Sequence, residues 1–203
     1  MTGSNIMKPL VLKIGGSLAK TGRARAVLDL VVRSPRQVVI VPGGGAHADG
    51  VRVDQVTRGF SDAEAHKRAI LAMHQIAADF QLLEPRLKAV ESLQAMTIAW
   101  AEHRTPVWLP WIMVEHETTI PQDWTITSDS LAAWLAGQIE NAEVALVKSC
   151  AVPAGASLAN LADAGITDPQ FPIFVAQGHL NWHMLGAGDD ARLDAILAGG
   201  AGT

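Results

Sequence analysis

The chain of 203 residues carries 16 Lys and Arg against 20 Asp and Glu, a net charge of −4, with 49% hydrophobic and 18% charged residues. That composition buries a sizeable core and excludes wholesale disorder; without any block of lysine or arginine, it also excludes a protein built to hold nucleic acid or an anionic membrane. The lone Cys150 excludes an intramolecular disulfide and a cysteine-only zinc site, and no apolar stretch reaches the roughly 20 residues that span a bilayer.

In chain order, residues 1–8 ("MTGSNIMK") read as a disordered leader or cloning remnant with no apolar core or cleavage site. One cytoplasmic domain over 9–203 follows. "PLVLKIGG" and "QVVIVPGGG" are short, continuous, branched apolar runs stopped by glycines, the pattern of strands buried on both faces of a parallel sheet. "RARAVLDLVVR" between them has helical spacing, which makes a βαβ unit. Ala46 to Arg58 is predicted helical. "FSDAEAHKRAILAMHQIAADFQLL" is a core helix opened by a capping box, Ser61 with Glu64. A helix over Leu93–Glu102, a strand in "TPVWLPW", a helix in "TSDSLAAWLAGQI" opened by Thr127 or Ser128, and a strand in "AEVALVKS" come next. The tail predicts a short helix near Ser157–Ala164, a strand at "FPIFVA" and a last helix near Asp190–Leu197. Strands alternate with helices almost throughout, so the fold class is α/β, a three-layer sandwich with a mainly parallel central sheet.

Both glycine runs fall where a strand ends and a helix begins, the place where open α/β sheets bind ligands and where bare amides hold phosphate. Lys13 precedes Gly15, Gly16 and Ser17; Gly43, Gly44 and Gly45 are followed two helical turns on by Arg52. Two anion-binding turns on one sheet imply two phosphate-bearing ligands meeting face to face. The second run also satisfies a loose Gly-x-Gly-x-x-Ala, but a dinucleotide fingerprint belongs on the first strand of the unit, which here ends in Lys-x-Gly-Gly-Ser. A P-loop occurs nowhere in the chain. A lysine within a buried strand is costly unless paired, which points Lys13 toward phosphate. Taken alone, Asp129 reads first as a helix-dipole partner, and Lys148 and Arg52 read equally as solvated side chains.

"VLKIGGSL" with "VVIVPGGG" resembles the amino acid kinase superfamily, whose members have a carbamate kinase-like fold. "PGGGAHADGVR", "AHKRAILAMHQ" and "WTITSDSLAAWLA" are similar to its 5-(aminomethyl)-3-furanmethanol phosphate kinase branch, and the match runs from about Leu10 to Ser149. The resemblance implies ATP and Mg2+ as cofactors and a small-molecule phosphate as the acceptor, converted to its diphosphate in methanofuran or methylofuran biosynthesis. It also implies a homo-oligomer. By position in the motifs, it implies that Lys13 and Lys148 stabilise the transferring group and that Asp129 orients them. The same matching gives Gly15, Gly16 and Ser17 to the nucleotide, and Gly43, Gly44, Gly45 and Arg52 to the acceptor.

The chain departs from the superfamily at "LVKSCAVP", where many members carry a Thr-Asp pair, so Lys148 stands in for a second lysine normally found later. Isopentenyl phosphate is the alternative acceptor, and a non-catalytic nucleotide-binding protein of the same fold is the alternative of another class. No metal site is expected from the histidines: His66 and His74 diverge by roughly 80° on a helix, and Gly178 and Asn181 argue against a helix that would pair His179 with His183. His47 reads as a packed loop histidine, and Trp111 and Trp124 as core or interface residues with a lesser claim to wall a substrate pocket.

Overall fold

A computed structural model gives the fold, with residues 7–200 described and, of residues 19–21, no side chains. The expected leader lies outside the described residues over 1–6. Lys8, by contrast, is tied in, its carbonyl accepting from Arg36 Nε at 2.6 Å.

The elements are β1 (Leu10–Ile14), a 3-10 helix (Gly16–Thr21), α1 (Arg23–Val31), β2 (Val38–Pro42), α2 (Gly45–Arg58), α3 (Asp62–Leu83), β3 (Leu87–Val90), α4 (Leu93–Ala101), β4 (Thr105–Trp108), α5 (Trp111–Val114), α6 (Ser128–Gly137), β5 (Glu143–Val147), α7 (Leu158–Asp163), α8 (Phe171–Gln177), β6 (Trp182–Leu185) and α9 (Asp190–Leu197). The strands form one six-stranded sheet in the order β3-β4-β2-β1-β5-β6, with every pairing parallel. Helices cover both faces, so β1, β2 and β5 are buried on both sides, and this is why their sequences are apolar without alternation.

Two apolar layers sandwich the sheet. Val11, Val39, Val41, Val144 and Leu146 pack on the side of α6 and α8, around a stacked pair of Trp108 and Trp134 with centroids 6.0 Å apart. Leu10, Leu12, Ile14, Ile40 and Val147 pack on the other side, with α1 and α9. Strand alternation puts Lys13 on the same side as Val11, toward α6. The chain leaves β1 for β2 through α1 on one face and enters β5 from α6 on the other. The loops therefore diverge above β1, which is where an open α/β sheet leaves a crevice.

Three differences from the sequence expectation concern where the strands fall. "FPIFVA" is not a strand but the helix α8. Pro172 sits in its first turn, where a missing N–H costs nothing, whereas inside a strand it would remove a ladder bond. Phe171, Phe174 and Val175 are buried while Ile173 is exposed, a helical rather than a two-residue repeat. The strand expected there is β6, in "NWHML", paired with β5 from Val144↔Trp182 to Val147↔Leu185. β3, in "RLKAV", had no sequence prediction; it is the short edge strand beside β4, and its inner residues are only half-buried.

Candidate active site

Lys13 is the penultimate residue of β1, Lys148 the first residue beyond β5, and Asp129 the second residue of α6. The three meet above β1. Asp129 Oδ1 lies 2.8 Å from Lys13 Nζ and its Oδ2 lies 2.5 Å from Lys148 Nζ. Asp129 and Lys13 are buried, with 4% and 9% of their side chains exposed, and Lys148 is partly buried, with 14% exposed. Burial alone pushes Asp129 up, but the two ammonium charges outweigh it and hold the carboxyl below its ordinary value. Burial, followed by the neighbouring Lys13 charge, pushes Lys148 down against the attraction of Asp129.

Other side chains hold this arrangement. Thr127 caps α6, its hydroxyl accepting from Asp129 N at 3.4 Å. Behind the cap lies a second buried carboxylate, Asp168. It accepts from Thr127 N and Oγ1, each at 2.7 Å, from Ser130 N at 3.2 Å, from Ser130 Oγ, and from Phe171 N at 3.0 Å. One side chain thus pins the start of α6 to the start of α8. Burial, and then the charge of Asp129, raises its pKa. Arg23 fixes the other flank, donating to the Lys148 carbonyl at 3.0 Å, to the Gly186 carbonyl at 2.6 Å and to Asp190 at 2.9 Å.

The two glycine turns touch. A Cβ on Gly16 would stand 2.5 Å from Gly45 Cα, and one on Gly43 would stand 2.7 Å from Gly16 N. Gly45 also needs its positive φ of 53° to turn into α2. Backbone meets backbone here, and only residues without side chains permit it. Neither the 3-10 helix, entered from Gly15, nor α2, entered from Gly44, has a side-chain cap at its N-terminus. Their first amides therefore open toward a cleft of about 250 Å³. This is near the small end of ligand pockets, roughly 300–1,000 Å³.

Lys13, both glycine turns, Ser17 and Arg52 all line that cleft. Lys148 and Asp129 lie behind its wall rather than in its lining. Trp124 lines it and Trp111 does not; Trp111 instead receives Lys67 on its ring face at 5.2 Å. His47 is exposed on α2 rather than packed in a loop, and it does not line the cleft.

Sequence reasoning missed Asp49, His66, Arg23 and Asp168. His66 sits within the apolar stripe of α3, buried, and burial lowers its pKa against the opposing charge of Asp123. Asp168 had a local signal, Asp-Pro just before a helix; Arg23 had none, because its partners lie 125 to 167 residues away. Among the described residues, no group of three His, Cys, Asp or Glu gathers to hold a metal ion, and no helix is long and apolar enough to cross a membrane.

No family model matches the chain. In sequence it is 27% identical to the [5-(aminomethyl)furan-3-yl]methyl phosphate kinase of Methanocaldococcus jannaschii, over 93% of each protein. In structure it is similar to the uridylate kinase of Archaeoglobus fulgidus, with a TM-score of 0.65 and 16% identity, covering 95% of this chain and 96% of that one. It is similar in the same way to the UMP kinase of Bacillus anthracis, with a TM-score of 0.65 and 13% identity, covering 95% and 93%. The chain therefore has the amino acid kinase fold and resembles, along most of its length, a phosphate kinase of that superfamily.

Proposed function

We propose that the protein is an ATP-dependent kinase whose acceptor is itself a phosphate, [5-(aminomethyl)furan-3-yl]methyl phosphate, converted to its diphosphate on the route to methanofuran-type one-carbon cofactors. One observation carries the reading: a single buried carboxylate, Asp129, holds two lysines where two bare glycine turns meet. The relative from Methanocaldococcus jannaschii supports the choice of acceptor.

Phosphoryl transfer asks a protein for position and positive potential. The γ-phosphoryl passes from ATP to an acceptor phosphate oxygen, and ADP leaves. Lys13 faces the oxygens of the group in flight from the cleft lining, Lys148 adds positive potential from behind it, and Asp129 fixes both ammoniums in advance. Gly15, whose own amide donates to the Val147 carbonyl at 3.3 Å, shapes the donor turn, and the amides at Gly16 and Ser17 bind the donor phosphates; those at Gly44 and Gly45, with Arg52, bind the acceptor. A phosphate acceptor is ionised near neutral pH, with a second pKa of about 6, so the chain needs no general base. Magnesium would neutralise charge on the phosphates. Asp129 is committed to its two lysines and no carboxylate cage gathers among the described residues, so the residues fit an ion carried on phosphate oxygens and water.

The same reading takes 9–203 as one cytoplasmic kinase domain. It also takes the protein as a homo-oligomer, supported by an α2 without a single buried residue and with Val53 and Val56 63% and 87% exposed; light scattering tests this. The test of function is incubation of the purified protein with Mg-ATP and the aminomethylfuran phosphate, followed by phosphorus NMR. A new diphosphate doublet is expected, lost in Lys13→Ala. Faster turnover of isopentenyl phosphate would transfer the reading to that acceptor. ATP binding without transfer to any phosphate would make the protein a non-catalytic binder.

A further inference from the structure

We propose that Asp49 reads a positive charge on the acceptor, so that the cleft selects a zwitterionic substrate, a phosphate monoester that also bears a protonated amine. This rests on the kinase reading above and assigns the group that recognises the amine.

Charges of both signs stand on one wall of the cleft. Asp49 and Arg52 lie one turn apart on α2, and both line it. Opposite charges at that spacing ordinarily face each other, and farther along the same helix Asp54 and Arg58 do approach to 3.6 Å. Asp49 and Arg52 form no such pair. The Arg52 guanidinium instead lies 3.9 Å from the centroid of the Trp124 ring. Trp124 is itself held there, its Nε1–H donating to Gln55 Oε1 at 2.6 Å. Arg52 is thus drawn onto an aromatic face, and Asp49 keeps its carboxylate open to the cleft.

Among the described residues that line the cleft, Asp49 is the only carboxylate. A bare anion there repels a substrate that brings nothing but phosphate. A neutral alkyl tail would strip water from the carboxylate and return no bond. An ammonium removes both penalties with a charge-assisted hydrogen bond. The spacing agrees. Asp49 is four residues beyond Gly45, so at 1.5 Å per residue it stands about 6 Å along α2 from the amides that open it, a span that a small ring with one substituent at each end bridges. The lining also includes the apolar Ala48, Ala69, Ile70 and Met73, and burial pushes the His66 imidazole toward its neutral form.

The experiment compares two acceptors of one skeleton, the aminomethylfuran phosphate and its hydroxymethyl counterpart, with wild type, Asp49→Asn and Asp49→Glu. The readout is the ratio of kcat/KM for the amine to that for the alcohol. Wild type is expected to favour the amine, Asp49→Asn to lower the ratio about tenfold or more, and Asp49→Glu to restore part of it. An Asp49→Asn ratio equal to wild type overturns the inference and leaves the kinase reading standing. Failure of wild type to phosphorylate either acceptor overturns both. If a variant folds but does not turn over, calorimetric titration with the two phosphates decides, and wild type binding the amine no more tightly than the alcohol counts against Asp49.

Discussion

Asp129 holds apart two ammonium groups that would otherwise repel each other inside the fold. Removing its charge in Asp129→Asn leaves Lys13 and Lys148 facing each other with no anion between them. Lys148, which burial and Lys13 already push down, is then the group that sheds its proton. Because the charged form is the active one, activity is present below the Lys148 pKa and lost above it. The wild-type kcat should therefore decline on the alkaline side before an ordinary lysine titrates. In Asp129→Asn that decline should move to lower pH, with kcat reduced about 10²–10³-fold, the usual consequence of losing one element of transition-state stabilisation. A pH–rate profile of both proteins measures it; an unmoved alkaline limb would show that the carboxylate does not keep Lys148 charged. At this scale the sequence was partly legible. Lys13 was visible because a lysine in an apolar strand needs an anion. Asp129 and Lys148 looked ordinary until the resemblance was invoked, since their pairing joins residues that lie 19 and 116 positions from Asp129 along the chain. Asp168 had its Asp-Pro signal at the start of α8, but its bonds to Thr127 and Ser130 reach 41 and 38 positions back to α6, which no local pattern encodes.

The two glycine turns work as one element because their backbones are in contact. Gly16→Ala places a Cβ 2.5 Å from Gly45 Cα, and backbone has no rotamer with which to yield. The turns must separate, which widens the gap between the donor and acceptor cradles. The expected result is a loss of kcat of about 10²-fold, as for ångström-scale misplacement of reacting groups, with about 1–3 kcal/mol of lost stability from overpacking. Gly50 supplies the contrast. It lies inside α2 with open space around it, so Gly50→Ala should stabilise the fold by about 0.5–1 kcal/mol through helix propensity alone. Thermal melts of the two variants should shift in opposite directions. Elements like these were legible because glycine after an apolar run is itself the signal. α8 was not, because six mostly apolar residues satisfy both a buried strand and a helix; only the surrounding layers decide which repeat is buried. β3 and β6 lie on sheet edges, where partial exposure admits Lys88, His183 and Trp182 and breaks the run that marks a central strand.

Across the whole molecule, the sheet separates chemistry from anchorage. The alternation of strands and helices disclosed a parallel sheet, but its order, with β5 beside β1, was hidden, since β1 and β5 are separated by most of the chain. Their registration begins at Leu10↔Glu143, at the end of the sheet opposite the cleft. There Arg36, with 3% of its side chain exposed, donates to Glu143 Oε2 at 2.7 Å and to the Ile196 carbonyl at 3.0 Å. Lys8, Asn181 and His183 also face Glu143. Burial alone pushes Glu143 up, but the hydrogen bond and charge of Arg36 outweigh it and pull the carboxyl down to about 2. Its unfolded value is about 4.5, so between those limits the unfolded chain binds more protons than the native one. The stabilisation is then complete above the unfolded pKa and disappears as pH falls through the folded one, a contribution of at most about 3 kcal/mol. Glu143→Gln should lower stability at pH 7 and flatten the acid limb between pH 4.5 and 2, leaving wild type and variant converging toward pH 2. Chemical denaturation across that range measures the difference. A variant that tracks wild type in parallel down to pH 2 would mean that Arg36 and Glu143 do not hold the base of the sheet together.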